Sequence, residues 1–224
     1  MTIHFSYVPA TFRNCPRTGS TSFKFWTLKN VPNADVVIDP VNNNGSLQRL
    51  SLAEIDAKWG TAGTTFAFVR NPYARLVSAF HFIGQRAISR IEKRNEDPNG
   101  HYPYSAEVDI KLMFQYRKGF AHWVQSLPSI VQSPLEYTNM ALFNDPATQN
   151  QIDCFNGCVP DLVVKLENIS TDFIKIQELV KCHVPFIHEN TTDHTDYRDY
   201  YDTNTQKIAY KWIERDLDTF GYTF

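Results

Sequence analysis

Two stretches of this 224-residue chain combine residue types able to hold an anion. The first is Thr65–Ile83, TFAFVRNPYARLVSAFHFI. Thr65–Val69 is a short β-branched and aromatic run, the pattern of a buried strand. Arg70 stands where that strand ends, Asn71 can cap a helix, and Pro72 falls at the first helical position, where its missing N–H costs nothing. Beyond it Tyr73, Leu76, Val77, Phe80, Ile83, Ala87, Ile88 and Ile91 recur at helical spacing as one apolar stripe. Asn71, Arg75, Ser78 and Phe82 fall on another face. Strand, tight turn and helix thus bring two arginines and a hydroxyl near one turn, an anion site made of side chains rather than glycine-rich backbone. The second stretch is Cys15–Trp26, CPRTGSTSFKFW. Pro16 ends extension, Gly19 permits a tight turn, Ser20, Thr21 and Ser22 supply hydroxyls, and Phe23–Leu28 predicts the first turns of a helix. A loop opening a helix presents backbone N–H groups and the positive end of the dipole, which suits phosphate or sulfate.

R-N-P-Y-x-R-L-V-S-A-F resembles the 3′-phosphate-binding motif of sulfotransferases that use 3′-phosphoadenosine 5′-phosphosulfate (PAPS), particularly their carbohydrate branch. P-R-T-G-S-T-S resembles the same family's 5′-phosphosulfate loop, P-K-x-G-x-T-S. Asp161–Asn168 (DLVVKLEN), with Asp172 and Phe173 after it, resembles the family's strand ending in hydrophobic-E-N-[LI] followed by D-F. The tail from His194 through Y-R-D-Y-Y-D, with a helix ending F-G-Y, resembles the family as well. These four blocks, at 15–26, 65–82, 161–173 and 194–222, cover nearly the whole chain in order.

The resemblance implies an α/β fold with a P-loop-like parallel sheet flanked by helices. It implies transfer of a sulfuryl group from PAPS to a hydroxyl acceptor, more a carbohydrate than a peptide tyrosine, with 3′-phosphoadenosine 5′-phosphate (PAP) as product. Arg17, Thr18, Gly19, Ser20, Thr21 and Ser22 would then surround the phosphosulfate, and Arg70 and Ser78 would hold the 3′-phosphate. Lys24 matches a lysine that many carbohydrate sulfotransferases carry. Two departures stand out. Arg17 occupies the family's lysine position. Pro9–Cys15 also separates the expected opening strand, Ile3–Val8, from the loop: either an insertion lengthens the loop, or the first strand lies elsewhere.

Sulfuryl transfer, like phosphoryl transfer, rests on alignment and on stabilising charge at the leaving and equatorial oxygens. The resemblance puts Arg17 nearest the bridging oxygen. Arginine stays charged and is a poor proton donor, which leaves electrostatics or Lys24 to serve the leaving group. Phe5–Phe80 contains no histidine, so the candidates for a general base are His81, Asp39, Glu54 and Glu167. The chemistry demands no metal, and the sequence shows no carboxylate cluster built to hold one. One rival reading is a module that binds PAP or PAPS without turnover. A nucleotide kinase is disfavoured because G-x-x-x-x-G-K-[ST] is absent.

The elements that must position these residues read as alternating strands and helices. Asp35–Ile38 is an expected strand before a polar NNNGS turn, and Ser51–Trp59 a helix whose Ser51 and Glu54 have capping-box spacing. Strand, helix and strand in succession predict β-α-β units and a parallel sheet. Asp109–Leu127 reads as one long helix and Thr171–Leu179 as another. A last helix has Thr203 and Gln206 at capping-box spacing and Gly221 as its stop.

The length fits one domain over residues 1–224 with a sizeable core. A net charge of −2 gives no argument for nucleic acid. Arg70, Arg75, Arg86, Arg90, Lys93 and Arg94 face only Glu92 within their stretch, an excess that either favours an anionic ligand or belongs in part to a solvated helix face. No apolar run is long enough to span a membrane, and MTIHFSYVPA lacks a signal-peptide pattern, so the expectation is a soluble, cytoplasmic chain or one trimmed of an anchor. The four cysteines do not amount to a disulfide framework. Cys154, Cys158, Cys182 and His183 match no common zinc spacing. Secreted relatives often carry a disulfide just before the segment corresponding to 163–168, which Cys154 and Cys158 echo, although a reducing cytosol would leave them as thiols.

Overall fold

The computed structural model describes residues 1–37, 51–132, 147–186 and 195–224. In chain order the elements are β1 (Thr2–Phe5), β2 (Ala10–Arg13), α1 (Ser20–Asn30), β3 (Ala34–Val37), α2 (Leu52–Trp59), β4 (Thr64–Val69), α3 (Pro72–Glu96), α4 (Ala106–Arg117) and α5 (Phe120–Gln132). They continue with the one-turn α6 (Gln151–Cys154), β5 (Leu162–Lys165), α7 (Ile169–Leu179) and α8 (Thr203–Phe220). The described residues group into two compact units, one of 1–37, 51–71 and 151–186, the other of 72–132, 147–150 and 195–224.

The first unit is a five-stranded sheet in the order β3-β1-β2-β4-β5 with helices on both faces. β2, β4 and β5 are parallel, with Phe12 opposite Phe66 and Phe66 opposite Leu162. β1 runs antiparallel to both β2 and β3, so the sheet is mixed rather than wholly parallel. The reason is the connection. Only Ser6–Pro9 joins β1 to β2, and so short a link permits a hairpin but no crossover. The expected strand Ile3–Val8 therefore ends at Phe5. The strand that feeds the loop is β2, which resolves the separation between opening strand and loop in favour of a misplaced strand.

Strand side chains alternate between faces. Ile3, Phe5, Phe12, Phe66 and Phe68 join Phe23 and Trp26 of α1 and Phe173 and Ile176 of α7 in one aromatic core. Phe12 and Phe23 have ring centroids 4.5 Å apart, and Phe23 stacks on Trp26. Burying each such ring stabilises the fold by roughly 1.5–3 kcal/mol, so this cluster fixes α1 firmly on the sheet. On the opposite face Trp59 of α2 stacks on His4. The Ser51–Glu54 capping box is present as expected. Gly63 permits the closest approach: a Cβ there would lie 1.7 Å from the Pro9 carbonyl oxygen, which accepts the Thr64 N–H and sets β4 beside β2.

The second unit is helical. Tyr73, Leu76, Val77, Phe80, Ile83 and Ala87 of α3 are buried with Val108, Leu112, Trp123 and Ile213, as the stripe predicted. The expected helix over Asp109–Leu127 is two helices, because Gly119 takes φ +94° and ends the run between α4 and α5. Asp109 is fully buried and paired with both Arg90 and Arg94, while Arg86 lies over the Phe82 ring. Much of the basic excess after Arg75 is therefore structural. α8 is capped by Asp202, whose carboxylate accepts the Thr205 N–H at 2.6 Å, one residue earlier than the expected Thr203. Gly221 ends it at φ +61°.

Candidate active site

β2, β4 and β5 are neighbours and parallel, so the segments after Arg13, Val69 and Lys165 leave the sheet at one edge. The crevice outside the carboxyl ends of parallel strands is where ligands bind in open α/β sheets. The sequence blocks at 15–26, 65–82 and 161–173 each include one of these exits.

After β2 the chain turns sharply. Arg17 has φ +69° and Gly19 φ +85°, both left-handed. Such a conformation is open to glycine but costs a side-chain-bearing residue about 1–2 kcal/mol, so Arg17 is held under strain. The Thr18 hydroxyl, fully buried, donates to the Cys15 carbonyl at 2.8 Å and closes the turn on itself. α1 starts at Ser20, three residues before the expected Phe23, with Gly19 as its N-cap and no side chain capping it. The first N–H groups of a helix have no intrahelical partner, and no acidic residue lies in this first turn. Ser20 and Ser22 are buried and Thr21 is exposed. The Ser22 hydroxyl oxygen is buried without a hydrogen-bond partner among the described residues. Ser22 is among the residues lining a cavity of about 630 Å³ that runs along α1 to its last residue, with Phe25, Trp26, Lys29, Asn30, Val184 and Pro185. Lys24 is half-buried on α1, its ammonium 5.5 Å from the Phe25 ring centroid. An orphaned hydroxyl and an uncapped helix start together fit a phosphate or sulfate group.

After β4 the turn is held from outside. Gln151, fully buried on α6, accepts the Arg70 N–H at 2.8 Å and donates to the Arg70 carbonyl at 2.9 Å. Glu167 accepts the Asn71 N–H at 2.7 Å. β5 ends at Lys165, so Glu167 sits in a short 3₁₀ turn rather than at a strand end. The residue is exposed, and its carboxylate anchors the backbone of the turn. A third brace is Arg13, which is almost fully buried and donates to the carbonyls of Phe155 and Cys158. Sequence reasoning missed Gln151 and Arg13. Their partners lie 81 residues or more away in the chain, so no local pattern marks them.

The remaining expected residues lie as follows. Ser78 is fully buried on α3 in the helical unit. In that unit too, Arg75 is buried and donates to the Gln149 carbonyl at 2.6 Å. The face of α3 opposite the predicted stripe is thus also covered. His81 places Nδ1 3.1 Å from the Tyr116 hydroxyl and Nε2 2.9 Å from the Tyr200 hydroxyl. Glu54 accepts both the Ser51 N–H and its hydroxyl in the capping box, and these bonds hold its carboxyl below the usual range, making it a weak base. Asp39 and His194 lie outside the described residues. No group of three His, Cys, Asp or Glu able to hold a metal occurs among the described residues, and no helix among them is long and apolar enough to cross a membrane.

No curated protein and no solved structure matches the chain. The family model described as the sulfotransferase family matches residues 15–223. The match starts at Cys15, where β2 gives way to the strained turn, and runs through the turn after β4 to the residue before the last. A match over that much of the sequence settles the lineage: the chain belongs to the sulfotransferase family.

Proposed function

We propose that this sulfotransferase uses PAPS as donor and a sugar hydroxyl as acceptor, releasing PAP. The observation that carries the reading is the turn after β2: a strained Arg17 directly before an uncapped helix start, with the orphaned Ser22 hydroxyl in the first turn. N–H groups of Ser20, Thr21 and Ser22 bind the 5′-phosphosulfate, assisted by the Ser22 side chain and by the backbone at Thr18 and Gly19. Arg17 lies against the bridging oxygen. As the bond from sulfur to that oxygen breaks, negative charge grows there, and a fixed guanidinium stabilises it more in the transition state than in the ground state. Arg17 holds its proton, so Lys24 is the group able to supply one to the leaving oxygen.

The acceptor oxygen forms the new bond to sulfur and gives up its proton. His81, in a hydrogen-bonded chain with Tyr116 and Tyr200, is proposed as the base that takes it. Arg70 is assigned to the 3′-phosphate through its side chain. Ser78 joins it in that role on the motif alone. The cavity beside α1 falls in the range of about 300–1,000 Å³ usual for small-molecule sites and is offered to the nucleoside. The sugar acceptor rests on the carbohydrate-branch resemblance of the 70–80 motif and the Y-R-D-Y-Y-D tail.

Sulfur-labelled PAPS incubated with a glycan panel, tyrosine peptides and simple alcohols tests this reading, together with titration of PAP against adenosine 5′-phosphate. Label on a glycan and a strong preference for PAP are expected. Labelling of tyrosine peptides with no labelled glycan or alcohol would overturn the acceptor. Equal affinity for the two nucleotides would overturn the donor. PAP binding with no transfer to any acceptor would make the chain a binding module.

A further inference from the structure

The four cysteines differ in setting. Cys158 is exposed and Cys182 half-buried, whereas Cys15 and Cys154 are almost wholly buried. Their sulfur atoms lie 3.1 Å apart although 139 residues separate them in sequence. The family resemblance offered Cys154 and Cys158 as an echo of a disulfide in secreted relatives; the fold instead presents Cys154 to Cys15. We propose that Cys15 and Cys154 are a redox pair that closes to a disulfide and ties the strained turn after β2 to the element that clasps Arg70.

Geometry and position both support the pair. A disulfide is about 2 Å long, so bonding requires the two sulfurs to approach by only about 1 Å. Cys15 is the residue on which Thr18 closes the turn. Cys154 ends the one-turn helix whose first residue, Gln151, holds both backbone groups of Arg70. All of these residues belong to the same compact unit. The bond would therefore join the two turns at the carboxyl edge of the sheet. The competing use of two close thiols is a metal site, which needs further ligands. No group of three such residues occurs among the described residues.

The oxidant can be a small disulfide such as glutathione disulfide. One cysteine thiolate attacks a sulfur of that disulfide and forms a mixed disulfide, releasing one glutathione thiolate. The second cysteine thiolate then attacks the protein sulfur of the mixed disulfide and releases the other. One S–S bond forms and one breaks, the two cysteines lose two electrons, and their two protons end on two glutathione thiols. Burial of both sulfurs makes the exchange depend on local opening of the short helix, so it should be slow beside modification of Cys158.

The test uses the full chain, equilibrated with glutathione disulfide, alkylated and mapped as peptides without reduction. The expected result is a linked pair containing Cys15 and Cys154, absent after Cys15→Ala or Cys154→Ala. Closing so long a loop should also raise Tm by on the order of 10 °C over the reduced chain. Alkylated Cys15 and Cys154 in a folded, oxidant-treated chain would overturn the pairing, as would a Cys154–Cys158 link. The wild-type map decides even if a variant fails to fold. A consequence for ligand binding rests on the donor-site reading above: the oxidised chain should bind PAP more tightly than the reduced one. Equal affinity would remove that consequence. Absence of PAP binding in both states would sink the donor reading, and the peptide map would still decide the disulfide.

Discussion

After β2 the chain turns on its own backbone. Arg17 and Gly19 take left-handed φ, and Thr18 closes the turn on the Cys15 carbonyl. After β4 the turn is fixed by side chains from elsewhere, Gln151 on Arg70 and Glu167 on Asn71. The difference decides what each turn can offer a ligand. The first leaves the start of α1 without a side-chain cap, so its backbone N–H groups can meet an anion. The second has the N–H groups of both Arg70 and Asn71 engaged by protein side chains, so what it offers a ligand must come from side chains, as proposed for the Arg70 guanidinium. In the function proposed above, one edge of one sheet would thus carry a backbone-based anion cradle beside a side-chain-based one.

The comparison breaks most visibly at Arg17. Removing a group that stabilises developing charge typically costs about 10²–10³ in kcat. Arg17→Ala should lose turnover on that scale while PAP affinity changes much less, because the interaction grows only as the bond breaks. Arg17→Lys, which restores the family residue, should retain activity. Steady-state kinetics with a PAP titration on the same samples checks both. Full activity in Arg17→Ala would shift the role to Lys24.

At the second turn the expected effect is on selectivity rather than on rate. A charge-assisted hydrogen bond contributes about 1.5–3 kcal/mol. Arg70→Ala should therefore reduce the preference for PAP over adenosine 5′-phosphate by roughly 10- to 100-fold, and Ser78→Ala should reduce it less. Gln151→Leu sharpens the contrast. It keeps the guanidinium but removes the two bonds that hold Arg70 backbone, and should destabilise the fold by about 1–3 kcal/mol while eroding the preference only in part. Chemical denaturation and nucleotide titration separate the two effects. A Gln151→Leu protein as stable as wild type would show that the clasp is not what holds this turn.

The second turn was more legible in the sequence than the first. A β-branched and aromatic run, then Arg-Asn-Pro, then an apolar stripe at helical spacing, all point to strand, turn and helix, and β4 and α3 formed at those residues. β2 was hidden because Ala10–Arg13 is only four residues long and lies between Pro9 and Pro16, where proline punctuation reads as loop. The helix over 109–127 was misread because its apolar spacing continues across Gly119, whose left-handed φ only the backbone reveals. Pairing of Arg90 and Arg94 with Asp109, and of Gln151 with Arg70, depends on tertiary contacts that no local spacing encodes. The Ser51–Glu54 cap and the Gly221 stop were readable because both act within one helical turn.

The smallest expected effect tests whether Arg17 is kept for function at the expense of stability. At φ +69° its Cβ costs the fold about 1–2 kcal/mol that glycine would not incur. Glycine in turn gains more freedom in the unfolded chain, an opposing term of about 0.5–1 kcal/mol. Arg17→Gly should therefore stabilise the protein by about 0.5–1 kcal/mol, a rise in Tm of roughly 1–4 °C for a chain of this size. Arg17→Ala retains the Cβ and its strain, so its Tm should stay near that of wild type. Both variants should lose turnover alike, since both lack the guanidinium. Stability and rate would then move in opposite directions at one residue, as expected where a strained conformation serves chemistry. The reverse outcome, Arg17→Gly melting below Arg17→Ala, would mean that the unfolded-state term outweighs any strain. The left-handed turn after β2 would then be relaxed structure, and its likeness to a strained catalytic loop would lose its physical basis.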